Sequence, residues 1–236
     1  MNNKDEDDKI RLLKPTSGDY IHTGIKAAVS ALPMVGGPIA EVFSRIFVPP
    51  LEKRRDALLI DLYTELKHIE ETNAEFKIED LANNDNFISV LMHAIQIVLR
   101  THQEEKIEAL KNVVINSIST SRVEESLQLI FLNLIDQYTP WHLKILKFLK
   151  DPVEYGRING IKYPDWVMAG LGTAIEICYP DLKDKQDFYN LVIEDMISDG
   201  LLQKGGYVRA SMTKSGVLAS RTTEMGNLFL QYISEQ

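Results

Sequence analysis

A mainly α-helical chain is predicted: a helical bundle followed by a C-terminal part that mixes helices with short extended pieces. Three observations predict it. From Leu51 to Tyr138 apolar residues recur at spacings of three and four, the period that puts them on one side of a helix. After Thr139 the chain becomes rich in proline and in turn dipeptides, among them Asn159-Gly160 and Gly205-Gly206. The 236 residues are 44% hydrophobic and 25% charged, an ordinary globular composition that is long enough for one large domain or two small ones.

Residues 1 to about 18 are polar and acidic and are read as a flexible leader. They lack the basic start of a secretory signal. Gly24 to Pro50 is the most apolar stretch, uncharged from Ala27 to Ala40. Pro33, the turn Gly36-Gly37-Pro38 and the stop Pro49-Pro50 divide it into two short helices joined by a bend. No run reaches the roughly 20 apolar residues that one membrane-crossing helix needs, so a cytoplasmic protein is expected. Leu59, Leu62, Leu66 and Ile69 mark the next helix, and Lys53-Arg54-Arg55 solvates its start or touches acidic lipid or phosphate.

Asn83 to Asn86 supply N-caps for a helix whose Phe87, Leu91, Ala94 and Val98 stripe is widened by Ile88, Val90, Ile95 and Ile97. Thr101 and Glu104 have capping-box spacing before Ile107, Leu110, Val114 and Ile118. Val123, Leu127, Ile130, Phe131, Leu134 and Ile135 mark a further helix that ends near Tyr138. Thr139 as cap and Pro140 at the first helical position then open a helix with Trp141, Ile145, Leu146 and Leu149 inward. A short strand or β-turn is expected in 157–163, a helix capped by Asp165 and running to Cys178, and another capped by Asp184 with Phe188, Leu191, Val192 and Met196 inward. Asp199-Gly200 closes that helix, Leu201-Leu202 is extended, and 207–209 returns as a strand. Residues 211–220 carry no clear pattern, and Thr223 caps a last helix bearing Leu228, Phe229, Tyr232 and Ile233.

The order of elements from Trp141 to Asp199, then Leu201-Leu202, a glycine turn, and Thr222 to Gly226 before a last helix, resembles a winged helix-turn-helix over about 95 residues. The fold class is thus mainly α, an N-terminal helical bundle followed by a winged-helix-like α+β C-terminal domain. Its divisions are a leader at 1–18, a helical domain at 19–138 and the winged-helix-like domain at 139–236. The residues 31–38, Ala-Leu-Pro-Met-Val-Gly-Gly-Pro, and 223–230, Thr-Glu-Met-Gly-Asn-Leu-Phe-Leu, resemble bacterial proteins of the abortive-infection alpha type. That resemblance implies a role in phage defence and supplies no catalytic residues.

The chemistry-bearing residues are sparse. Cys178 is the only cysteine, which excludes an intrachain disulfide and fits a reducing compartment. His22, His68, His93, His102 and His142 are scattered, and neither a zinc-protease helix, a phosphate-binding loop nor a nucleophile turn occurs. A non-enzymatic protein with no cofactor and no metal is expected. Net charge is −8, and the stretch 181–199 sets two lysines against six carboxylates where a groove-reading helix would meet phosphates. Protein association, with a partner or with itself, is therefore the leading function, since winged helices also serve protein contacts.

Two alternatives stand beside it. In a DNA-binding regulator, Lys144, Lys147, Lys204 and Arg209 would meet the nucleic acid. In a membrane-acting effector, the 24–50 stretch would insert, with Val35, Ile39 and Phe43 forming the association or membrane surface.

Overall fold

The computed structural model describes residues 53–118 and 123–234. The leader and the apolar stretch 24–50, with Val35, Ile39 and Phe43, lie outside the described residues. The described chain is mainly helical and falls into two compact units divided between Ile88 and Ser89. No helix among the described residues is long and apolar enough to cross a membrane.

The first unit holds helix α1 (Lys53–Thr72) and a 3-10 turn (Ile78–Asn83). Leu59, Leu62 and Leu66 form the buried stripe of α1 as its periodicity predicts, with Leu58 also buried and Ile69 only half-buried. At its basic start Arg55 pairs with Asp56 at 2.9 Å. Glu70 fastens the return of the chain: its carboxylate accepts the Ile78 N–H at 3.1 Å and pairs with Lys67 at 2.8 Å. Helix α2 (Asp85–Arg100) runs through the division; Asn84 caps it by accepting the Phe87 N–H at 2.9 Å. Its wide apolar stripe is buried at Val90, Leu91, Ala94, Ile95, Ile97 and Val98.

The second unit continues with α3 (Glu104–Asn116), α4 (Glu125–Gln137) and α5 (Pro140–Lys150), of which α3 packs on both α4 and α5. Gln103, not Thr101, is the N-cap residue of α3, and the Thr101 hydroxyl accepts the Gln103 N–H instead. Lys106 is buried on α3. Its ammonium donates to the Asp136 carbonyl at 2.8 Å, where the C-terminal carbonyls of α4 favour a cation, while burial lowers its pKa.

Of the strand or β-turn expected in 157–163, no strand forms, while Asn159-Gly160 does turn the chain, the Gly160 N–H meeting the Arg157 carbonyl. Pro152–Ile158 forms helix α6, and Asn159-Gly160 ends it in place of turning a hairpin. Gly160 has φ +66°, and the Ile161 N–H reaches back to the Gly156 carbonyl. Asp165 caps no helix either; it pairs with Lys214 at 2.9 Å. The next helix, α7 (Leu171–Cys178), starts later, after the two-residue strand β1 (Ala169–Gly170).

Helix α8 (Gln186–Ser198) packs on α5. Residues 207–209 do not return as a strand, since Gly206–Val208 forms a 3-10 turn held by Arg221, whose guanidinium sits 4.7 Å from the Tyr207 ring centre. The unpatterned segment 211–220 contains strand β2 (Ser211–Met212) and the short helix α9 (Lys214–Val217). β2 pairs antiparallel with β1, Ala169 opposite Met212, and Leu202 bridges to Thr222. The last helix, α10 (Glu224–Tyr232), is capped by Thr223, whose hydroxyl accepts the Gly226 N–H at 3.0 Å.

The other end of α10 is held from α3. The Asn112 amide donates to the Ile233 carbonyl at 3.0 Å, and the Asn116 amide to the Tyr232 carbonyl at 2.7 Å. These buried side chains satisfy carbonyls that a helix end leaves without partners.

Candidate functional site

Helix α8 of the second unit presents an apolar pair set in an acidic surface. Its sequence carries more apolar residues than one face can bury, and two overlapping stripes compete for the interior. The stripe of Tyr189, Val192, Ile193 and Met196 is buried. Phe188 and Leu191, expected inward, point outward and are 37% and 57% exposed. The two stripes share Val192 and Met196, so spacing alone could not separate them; the signal that favours Tyr189 is its phenol, which reaches Glu176 on α7 at 3.1 Å.

Around the exposed pair stand Asp187, Glu194 and Asp195 on the helix and Asp184 just before it, all exposed. Asp184 does not cap α8; it has φ +61°, in the left-handed region, and Lys185 is the N-cap residue. The C-terminus closes as expected on Gly200, at φ +78°. Its N–H meets the Ile197 carbonyl and the Leu201 N–H the Met196 carbonyl, the bonding of a Schellman end.

Charges at the start of α8 are mixed, with Asp187 in the first turn favouring the dipole, while those at its end run against it. Lys183 and Lys185 stand at the positive end, and Asp195 and Asp199 at the negative end, with no basic residue in the last turn. Each such placement forgoes or reverses a contribution of about 0.3–1 kcal/mol.

Two of these carboxylates have internal partners. The Tyr138 hydroxyl donates to Asp199 at 2.8 Å, and His142 Nε2 lies 3.4 Å from Asp195. His142 is buried at the third position of α5, stacked 4.5 Å from the Tyr138 ring. It forms a capping box with Thr139, in which the ring stands where Glu or Gln is usual.

Thr139, His142 and Asp195 thus line up like a nucleophile, a base and an acid. The wiring does not fit that chemistry. Nδ1 accepts the Thr139 backbone N–H at 3.1 Å and also lies 3.0 Å from the Thr139 hydroxyl, so its single lone pair is shared between the two and is not free to take the hydroxyl proton. The arrangement holds the helix start in place.

Burial lowers the pKa of His142, outweighing the opposing pull of Asp195 and Asp199, while Lys106 lowers it further. The folded protein therefore holds this ring neutral more firmly than the unfolded chain does. Stability is retained above the ordinary histidine pKa, near 6.5, and is lost as pH falls below it through the folded value. Urea unfolding midpoints are expected to drop between pH 7.5 and 5.5. His142→Ala should cost about 1 kcal/mol at pH 7.5 through the lost cap and flatten that drop. An undiminished pH dependence in the variant would remove His142 as its source.

The predicted nucleic-acid contacts are spread over several elements. Lys144 on α5 pairs with Glu105 at 2.6 Å and stands 5.2 Å from the Trp141 ring centre. This pairing holds the Glu105 carboxyl below the usual range. Lys147 is exposed on the same helix, and Lys204 and Arg209 are exposed beyond α8. No hydrogen bond or ion pair among the described residues joins these four. Cys178 is half-buried with its Sγ 3.3 Å from the Tyr163 hydroxyl, and burial raises its pKa, which disfavours the reactive thiolate. Among the described residues, no group of three or more His, Cys, Asp or Glu is placed to hold a metal ion. No family model, curated protein or solved structure matches this chain.

Proposed function

We propose that the protein is non-enzymatic and works by associating with another protein through the outer face of α8, within a winged-helix-like part spanning residues 139–236. The observation that carries this reading is the exposed pair Phe188 and Leu191 set among Asp184, Asp187, Glu194 and Asp195. Exposed apolar side chains in the middle of a charged face resemble the anchors of an interface, surrounded by a polar rim.

Support for the winged-helix reading comes from the succession α5, β1, α7 and α8, and from the antiparallel Leu202–Thr222 bridge that would close a wing. In that arrangement α8 occupies the place of a groove-reading helix. Its carboxylates would repel phosphates, and no counterion gain offsets the repulsion. The shared outline with abortive-infection alpha proteins supports placing this association in phage defence.

A photo-cross-linking amino acid at position 191, in cells of the native host, tests the reading. The expected result is a discrete heavier adduct, absent when the same group replaces exposed Lys147. A salt-sensitive shift of duplex DNA, abolished by charge reversal at Lys144, Lys147, Lys204 and Arg209, would replace this reading with the DNA-binding one.

A further inference from the structure

The partner's chemistry can be read from the same surface, and the inference rests on the association reading just given. We propose that α8 receives a cationic, amphipathic helical segment of a partner protein. Phe188 and Leu191 lie one turn apart. Asp184 and Asp187 before them are balanced by Lys183 and Lys185, whereas Glu194 and Asp195 after them have no lysine beside them on the helix, so the acidic excess lies toward the C-terminal end. At about 1.5 Å of rise per residue, the helical span from Asp187 to Asp195 is roughly 12 Å, or about two turns. A complementary segment places two apolar side chains against Phe188 and Leu191 and Lys or Arg on the side that meets Glu194 and Asp195.

The carboxylates await such charges. Among the described residues Asp184, Asp187 and Glu194 have no ion pair, and the partner of Asp195 is an imidazole that burial keeps neutral. Asp195 and Asp199 also oppose the helix dipole, so a cation arriving at this end relieves a cost already present in the fold. Phosphate-bearing ligands and acidic lipid are repelled by the same field.

A second copy of the chain is a poor occupant. Each copy carries a net charge of −8, so two copies repel overall, although Lys147, Lys204 and Arg209 are exposed. Charge complementarity thus favours a basic partner, with the apolar pair fixing its register.

The test uses the full chain and synthetic labelled peptides about 16 residues long, followed by fluorescence anisotropy at 150 mM salt. One peptide carries Leu on one helical face and Lys on the rest; a second has the same composition scrambled so that no apolar face forms. Saturable one-to-one binding of the first is expected, at least tenfold tighter than the second. Phe188→Ser with Leu191→Ser should weaken it about tenfold although every charge remains, and Asp187→Lys with Glu194→Lys should do the same. Both variants change exposed positions, and unchanged circular-dichroism melting confirms their fold.

Equal binding of the two peptides, or indifference to the Phe188 and Leu191 changes, would reduce the interaction to nonspecific charge attraction and overturn the proposal. So would sedimentation showing a dimer that Leu191→Ser dissolves, since the second copy would then be the occupant. Failure of every peptide alongside a discrete cross-link at position 191 would refute the cationic partner and leave association intact. A duplex DNA shift instead would remove both.

Discussion

Gly226→Ala is expected to destabilise the protein by about 2–4 kcal/mol, at or above the upper end of what single substitutions usually cost. A Cβ at position 226 would lie 2.1 Å from the Leu201 carbonyl oxygen and 3.0 Å from its carbon, which are backbone atoms and cannot swing aside. Leu201 cannot retreat either. Its oxygen accepts the Thr223 N–H at 3.0 Å, its N–H closes the end of α8, and Leu202 next to it bridges to Thr222. Overpacking alone costs about 1–3 kcal/mol, and displacing α10 adds its cap, about 1 kcal/mol more. Gly200→Ala is the informative companion: φ is +78° but the space around a Cβ is open, so the cost should be only about 1–2 kcal/mol. Urea unfolding of both variants would check the pair. A Gly226→Ala loss no larger than that of Gly200→Ala would mean that α10 does not sit rigidly against Leu201.

This contact also shows what one sequence can disclose. Thr223 as a cap, Thr139-Pro140 as a helix start and Asp199-Gly200 as a helix end were legible because each rests on local chemistry within four residues. The buried stripes of α1 and α2 were legible because apolar periodicity has one solution there. In α8 it has two, and the choice between Phe188 with Leu191 and Tyr189 with Ile193 depends on α5 and α7, which local spacing does not contain. Asn159-Gly160 misled for a related reason: a left-handed residue serves a helix end as well as a hairpin. Asn112, Asn116 and Lys106 of α3 each reach a carbonyl near another helix end, which no local pattern signals. Such partners are separated by 30 to 121 residues and leave no local trace.

Because α10 is anchored at both ends, by Thr223 and by the two asparagines, the centre beneath it cannot collapse when emptied. Phe131 fills that centre with no solvent exposure, its ring 5.1 Å from Phe229 in an edge-to-face arrangement and 5.8 Å from Tyr232. Phe131→Ala should therefore cost about 3–5 kcal/mol, as expected where a cavity persists, and Phe131→Leu only a fraction of it. A double-mutant cycle with Phe229→Ala separates the ring pair from simple burial: a coupling of about 0.5–1.5 kcal/mol is expected if the edge-to-face geometry contributes. Phe229 also meets the Tyr138 ring at 6.2 Å, and Tyr138 stacks on His142 and bonds Asp199 at the end of α8. Loss of Phe229 should thus loosen the α8 terminus more than loss of Phe131, a difference that amide exchange at residues 196–202 would read. A Phe131→Ala loss below about 1 kcal/mol would show that α10 slides inward, and the anchoring by Asn112 and Asn116 would then be too weak to keep the cavity open.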